Sequence, residues 1–187
     1  MKKGKITLTG PRSVGKTTIS KLLAKRLNLK YISSDELGEK ITKKHGGLDK
    51  ATKSGIIKEI IKKKGYTLIL NEYKKKNFVL DLSIGAFTSA DFKKASRELR
   101  SVAKNKSFVI GLLPYKSSKK SIQLLYEREA KRKHFKNSDK AELLKRTRNK
   151  FPEQRDILLK NCNLVIYTEN KNSKKIIEEV LLKGELK

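Results

Sequence analysis

Residues Gly10-Pro11-Arg12-Ser13-Val14-Gly15-Lys16-Thr17-Thr18 satisfy every position of the pattern G-x-x-x-x-G-K-[ST]. Nothing else in the chain limits its fold so strongly. The run Lys5-Ile6-Thr7-Leu8-Thr9 before it reads as a strand, and Ile19, Leu22, Leu23 and Leu27 after it repeat at three- and four-residue steps, as one face of a helix does. The glycines let the backbone wrap so that several N–H groups point inward at phosphate oxygens. Lys16 is long enough to reach the β- and γ-phosphates, the Thr17 hydroxyl suits Mg²⁺, and the helix opening near Gly15 brings its positive end to the same anion. All nine residues from Gly10 to Thr18 are therefore candidate nucleotide contacts, and ATP with Mg²⁺ is the expected cofactor pair.

Beyond the motif, short apolar runs alternate with helical patterns, which is how a parallel sheet covered by helices is written. Leu29 to Ile32, Phe78 to Leu82, Ser107 to Leu113 and Leu164 to Tyr167 join Lys5 to Thr9 as expected strands. Helices are expected over about 34–44, 50–64, 89–104, 118–133 and 139–150, with a last one marked by Ile176, Ile177, Val180 and Leu181. Gly46-Gly47 separates the first two, Thr88 and Asp91 fit a capping box, Asp139 fits a cap, and Pro152 is expected to interrupt the helix before it. Leu68-Ile69-Leu70 fits strand or helix. Five strands among helices, with no repeat and no linker, predict one doubly wound α/β domain over residues 1–187.

Charge is the second feature. The 187 residues hold 47 Lys+Arg against 19 Asp+Glu, a formal net charge of +28. Such a balance favours polyanions: nucleic acid, anionic membrane or nucleotide phosphate. The basic residues are 38 Lys and 9 Arg spread over the whole chain, which is equally the pattern of a solvated lysine-rich surface and lacks the arginine bias of base readout. No apolar run approaches the roughly 18 residues a membrane span needs. No secretory leader is legible, and the single Cys162 cannot form an internal disulfide, so a cytoplasmic protein is expected. Cys162 reads as a small apolar residue before the last strand, and His45 and His134 have no metal-ligand company.

From Ile6 to Lys44 the sequence resembles the shikimate kinase family. The resemblance rests on Gly10 to Thr18, on Lys21-Leu22-Leu23-Ala24-Lys25-Arg26-Leu27, and on Tyr31-Ile32-Ser33-Ser34-Asp35-Glu36-Leu37. Related nucleoside monophosphate kinases share the first part. The resemblance implies a three-layer P-loop domain with a five-stranded parallel sheet flanked by helices, a basic helical lid over about 128–150, and phosphoryl transfer from ATP to a hydroxyl. It implies that Asp35 contacts the acceptor and helps its hydroxyl attack. The family's preceding Asp, linked to the Mg²⁺ shell, is Ser33 here, and Asp81 at the end of the third strand is the alternative acidic partner of the metal beside Thr17. The family's three-glycine turn becomes Ser83-Ile84-Gly85, leaving Ser83 and Gly85 as candidate acceptor contacts. No arginine occurs in residues 45–80, where the family carries an acceptor-binding Arg, so Lys58, Lys62, Lys63 or Lys64 would have to substitute; a second such Arg falls near Asn161.

In the lid segment, Arg128 and Arg132 are spaced i, i+4 and share a helix face. Arg132 is the preferred catalytic arginine and Arg128 a candidate nucleotide contact, with Arg146, Arg148 and Arg155 further candidates; a solvated helix whose Glu127 and Glu129 pair with basic neighbours accounts for the same pattern. Likewise, Ser33 with Glu36 fits a helix cap, Asp35 suits a first turn, and Asp81 could simply bond a neighbouring turn.

Three functions remain open on these residues. The leading one is an ATP-dependent phosphotransferase acting on a small-molecule hydroxyl, with Lys16, Asp35 and Arg132 as its catalytic groups. A nucleoside monophosphate or 5′-hydroxyl polynucleotide kinase is the second, supported by the +28 charge. The third is a nucleotide-gated RNA- or ribosome-binding protein with slow ATPase. The oligomeric state is not legible.

Overall fold

Parallel strands buried on both faces need apolar residues at nearly every position, and Phe78-Val79-Leu80 meets that demand with side chains wholly out of solvent. In the computed structural model, which describes residues 4–132 and 139–186 and leaves out the side chains of Asp49, Lys53, Lys62 and Lys63, this run is β3 (Phe78–Asp81). It pairs in parallel with β1 (Lys5–Thr9) and β2 (Lys30–Ser33). On the other side of β1 lie β4 (Phe108–Leu113) and then β5 (Leu164–Tyr167), again parallel. The sheet order is β2-β3-β1-β4-β5. The five expected strands are thus present, in one parallel sheet.

That order fixes where a ligand can sit. From β1 the chain first builds to one side and later to the other, so a crevice opens at the carboxyl end of β1, between the departing connections. The nine-residue motif occupies this place, followed by α1 (Lys16–Arg26). Glycine at position 10 is demanded by packing: a Cβ there would run into the Leu112 carbonyl oxygen of β4. Within the sheet, Thr7 Oγ1 shares hydrogen bonds with the Tyr73 hydroxyl (3.0 Å) and Ser107 Oγ (2.8 Å), a buried polar knot that ties β1 to the segments leading into β3 and β4.

The helices on the β2 side shape the cavity. α2 (Ser34–Thr42) follows β2 directly and is capped by Ser33, whose Oγ accepts from Glu36 N at 3.3 Å. A 3₁₀ turn (Lys43–His45) and the Gly46-Gly47 break lead to α3 (Leu48–Lys53) and α4 (Ile57–Ile60). A π-helical turn (Ile61–Gly65) then joins α4 to α5 (Tyr66–Glu72), so Leu68-Ile69-Leu70 is helix and not strand. The single helix expected over 50–64 is therefore broken: Gly55, at φ +78°, takes a left-handed conformation that interrupts it.

Two further expectations need correction. The helix expected over about 89–104 is α7 (Lys93–Lys106), which starts four residues later; a short α6 (Ile84–Thr88) that was not expected precedes it, and Thr88 and Asp91 form no capping box. Thr88 Oγ1 donates back to the Ile84 carbonyl at 2.9 Å, and Asp91 pairs with Lys58 at 3.0 Å. Nor does Pro152 stop its helix: after α8 (Ser118–Ala130), α9 runs unbroken over Lys140–Asn161. An interior proline costs about 3 kcal/mol, but Leu143, Phe151 and Leu158 of α9 are buried along its length, and that packing outweighs the lost bond. Asp139 caps α9 as expected, accepting from Ala141 N at 2.8 Å. α10 (Ser173–Lys183) closes the domain against α1. Cys162 is half-buried beside Gly111 and β5, where burial pushes its thiol up to about 12. His134 and Phe135 lie outside the described residues.

Candidate active site

Seven of the nine motif residues, Pro11 to Ser13 and Gly15 to Thr18, line a cavity of about 860 Å³; Gly10 sits beneath β4 and Val14 is buried in the core. The loop has the features an anion cradle needs. Gly15 takes φ +101° as N-cap of α1, a Cβ there would meet nothing within 4 Å, and no acidic residue occupies the first turn of that helix. Ser13, at φ +63°, holds a buried Oγ with no hydrogen-bond partner among the described residues. A buried hydroxyl without a partner is costly, and a phosphate oxygen would satisfy it.

Lys16 is held inside the cradle. Its Nζ donates to the Pro11 carbonyl at 3.0 Å. Burial pushes its pKa down to about 8; the nearby Asp81 and Asp35 carboxylates oppose that shift, and Arg12 and Arg132 reinforce it. Thr17 Oγ1 donates to Asp81 Oδ2 at 2.7 Å, and the Tyr31 hydroxyl donates to the same oxygen at 3.4 Å. Burial raises the Asp81 pKa, against the Thr17 hydrogen bond and the Lys16 charge, and burial beside Asp81 pushes Tyr31 up to about 12. Asp81 stands opposite Ser33 in the β2–β3 register. A carboxylate thus stands one strand over from Ser33, at the same level of the sheet.

Asp35, exposed in the first turn of α2, lines the cavity facing this cluster, as do Ser83 and Gly85. Ser83 caps α6 by accepting from Ala86 N at 3.3 Å. Its own N–H donates to Ser34 Oγ at 2.8 Å, which ties the starts of α2 and α6 together. Ser34 is a positioning contact that the sequence pattern alone did not single out.

Arg128 and Arg132 also line the cavity, but they do not share a helix face as expected, because α8 ends at Ala130 and Arg132 lies beyond it. Arg128 Nη1 donates to the Ser13 carbonyl at 3.4 Å. Between them on α8, Glu129 is buried, with its carboxylate 2.9 Å from Arg146 of α9 and 3.7 Å from Arg12 of the phosphate loop. This clasp joins loop, α8 and α9. Arg146 reaches the cavity wall; Asn161, the position expected to match an acceptor-binding arginine, does not, because its side chain donates to the Ile157 carbonyl within α9. Arg155 instead donates to the Lys116 carbonyl at 3.4 Å. Lys58 lines the cavity but is paired with Asp91, while Lys64 is exposed.

The family model described as "Shikimate kinase" matches residues 12–184. The chain belongs to the shikimate kinase family. It is a P-loop kinase, a phosphotransferase that takes ATP as donor and a small molecule as acceptor. Solved structures share the fold of this family member. Shikimate kinase from Acinetobacter baumannii, in complex with shikimate, is 23% identical over 97% of this chain and 94% of that one, with a TM-score of 0.65. Shikimate kinase from Bacteroides thetaiotaomicron is 17% identical over 97% and 98%, with a TM-score of 0.72. A gluconokinase from Sinorhizobium meliloti is 18% identical over 96% and 90%, with a TM-score of 0.55. A search of curated protein sequences found no match. No helix among the described residues is long and apolar enough to cross a membrane.

Proposed function

We propose that this kinase moves the γ-phosphoryl group of ATP to a hydroxyl of a small molecule held between the phosphate loop and the helices after β2 and β3. The observation that carries this reading is that Lys16, the Thr17–Asp81 pair and Asp35 face one cavity. The loop backbone and Lys16 bind and orient the β- and γ-phosphates. Asp35 accepts the hydrogen bond of the acceptor hydroxyl and aligns it for in-line attack. Ser83 and Gly85 bound the acceptor on the far side. Arg132 draws negative charge from the transferring group, and Arg128 holds the loop at Ser13. Positioning and electrostatics suffice for such chemistry.

The Thr17 hydroxyl and Asp81 carboxylate fit Mg²⁺, a hard cation that takes one or two protein oxygens and completes its shell with phosphates and water. No cluster of three or more carboxylate, histidine or cysteine ligands exists among the described residues, which agrees with a metal carried in with the nucleotide. Thr17 and Asp81 would hold such an ion, which would supply positive charge to the phosphate end of the nucleotide. Closure of the segment around 128–150 over the nucleotide would exclude water and limit hydrolysis.

The test is ATP turnover with shikimate, gluconate, nucleoside monophosphates and 5′-hydroxyl RNA offered in parallel, with Lys16→Ala as control. Stimulation by a small alcohol, lost in Lys16→Ala, is expected. Stimulation by RNA alone, with steep salt dependence, would replace this reading with a polynucleotide kinase.

A further inference from the structure

Glu129 is a carboxylate in an unfavourable place. It lies in the last turn of α8, at the negative end of the helix, and it is buried. Both circumstances work against its charge. Its Oε1 lies 2.9 Å from Arg146 Nη2 on α9 and 3.7 Å from Arg12 Nη1 on the phosphate loop. The residue before it, Arg128, donates to the Ser13 carbonyl at 3.4 Å. Two consecutive residues of α8 thus hold two consecutive residues of the loop. Arg12, Arg128, Glu129 and Arg146 all line the cavity. Stability alone is a poor reason for this arrangement, because apolar side chains of similar size often serve a buried site as well as an ion pair does.

The charges around the cavity give a better reason. Of the described acidic residues that line it, Asp91 pairs with Lys58, Asp35 opens α2 and Asp81 ends β3. Glu129 is the remaining one, on the wall formed by α8 and α9, whose other charged residues are Arg128, Arg146 and Lys150. The field of the nearby cations reaches the phosphate loop, since Arg12 and Arg132 both push the Lys16 pKa down. Resting on the kinase reading above, we infer that Glu129 is a counter-charge built into the nucleotide site: it positions Arg12 and Arg146 and offsets part of the positive charge that would otherwise hold ADP too tightly to leave. A set of unopposed cations attracts every polyphosphate, product as well as substrate. Tight product binding slows release, and release limits the rate of many enzymes. Glu129 acts through its arginines and is a positioning residue.

The test is the affinity of the whole chain for MgADP, measured by calorimetry over a range of KCl, with release followed by stopped-flow fluorescence of a mant-labelled ADP. Glu129→Gln is expected to bind MgADP about fivefold more tightly at low salt, the effect of one partly screened charge. The gain should appear mainly as slower release and should shrink as KCl is raised. Glu129→Asp, which keeps the charge, is expected to stay within about twofold of wild type. Should Glu129→Gln fold poorly, Glu129→Met fills the same space without charge and carries the same expectation. A residue that only held the fold together would behave otherwise: its loss would weaken MgADP binding or leave it unchanged, and either result overturns the inference while the kinase reading stands. So does tightening by Glu129→Asp as large as that by Glu129→Gln, since shape and not charge would then be responsible. Failure of the wild-type chain to bind MgADP at all overturns the kinase reading itself.

Discussion

The side of the cavity that we assign to phosphate is lined by seven residues of one nine-residue loop, whereas the side that we assign to the acceptor is lined from α2, α3, α4, α5, α6, a π turn and the segments flanking α6, which are far apart in the chain. The first must present N–H groups to an anion whose shape never changes, so its geometry is fixed by glycine spacing. The second must fit one particular molecule, so any residues of the right size and polarity will serve. The difference predicts how the two halves respond to change: the phosphate half should fail sharply at single atoms, and the acceptor half should drift in specificity.

The sharpest failure is expected at Lys16. Lys16→Ala should lower acceptor-stimulated ATP turnover by about 10²–10³-fold, the loss typical of one donor to a developing charge. Stability should not fall with it, because burial works against the Lys16 charge in the nucleotide-free protein. A thermal melt beside the turnover assay separates the two. Comparable loss of the melt would mean that Lys16 is structural.

Asp35→Asn should come next. Removing the carboxylate that we propose orients the acceptor is expected to lower the ratio of acceptor-stimulated to unstimulated turnover by about 10²-fold, the lower range for a general base. If Asp35 were only a favourable charge in the first turn of α2, the ratio would stay put and stability would fall by less than about 1 kcal/mol.

What was legible in the chain follows the same divide. The glycine pattern with Lys16 and Thr17, the strand before it and the amphipathic helix after it are local in sequence, and all three are found. β3 and β4 were legible because buried parallel strands are continuous apolar runs. The acceptor wall was not, because Leu37, Ile61 and Phe92 look like ordinary core residues until three elements bring them to one space. The Glu129 clasp was legible only as one of several ways for charges on a helix to pair, since its partner Arg146 sits on another helix. Pro152 misled for a related reason: its local penalty is visible, and the packing of Phe151 and Leu158 that overrides it is not.

The depressed Lys16 pKa of about 8 gives the phosphate half a pH signature. Below that value the amine is charged before nucleotide arrives. Above it, binding a triphosphate must draw a proton onto Lys16, so affinity should weaken as pH rises past about 8, by up to tenfold per unit, until the pKa of the bound form is reached. Calorimetry in buffers of different ionisation enthalpy should show proton uptake on binding near pH 8.5 and little near pH 6.5 from this group. Lys16→Arg, which stays charged, should abolish that uptake.

A smaller effect is expected from the clasp that joins the phosphate loop to α8 and α9. Glu129 is buried, but its partners Arg146 and Arg12 are 39% and 54% exposed, so solvent screens much of each pair. Glu129→Gln should therefore cost about 1 kcal/mol, a lowering of Tm by about 2–4 °C for a chain of this size. Turnover should fall more than that loss explains, since the clasp also positions Arg12 and Arg128 at the cavity.

Gly85→Ala has the smallest expected effect and bears most directly on the comparison. Gly85 lies inside α6, its backbone is ordinary for any residue, and a Cβ there would meet nothing within 4 Å. Packing gives no reason for glycine, and helix propensity argues against it by up to about 1 kcal/mol. The space a Cβ would fill opens on the cavity. If that space belongs to the acceptor, Gly85→Ala should raise Tm by a degree or more and raise the acceptor KM severalfold while changing the KM for ATP little. A rise in Tm with no change in acceptor KM would place the acceptor elsewhere along the wall, nearer Ile57 and Ile61. A rise in the KM for ATP would show that the two halves are not separable at α6.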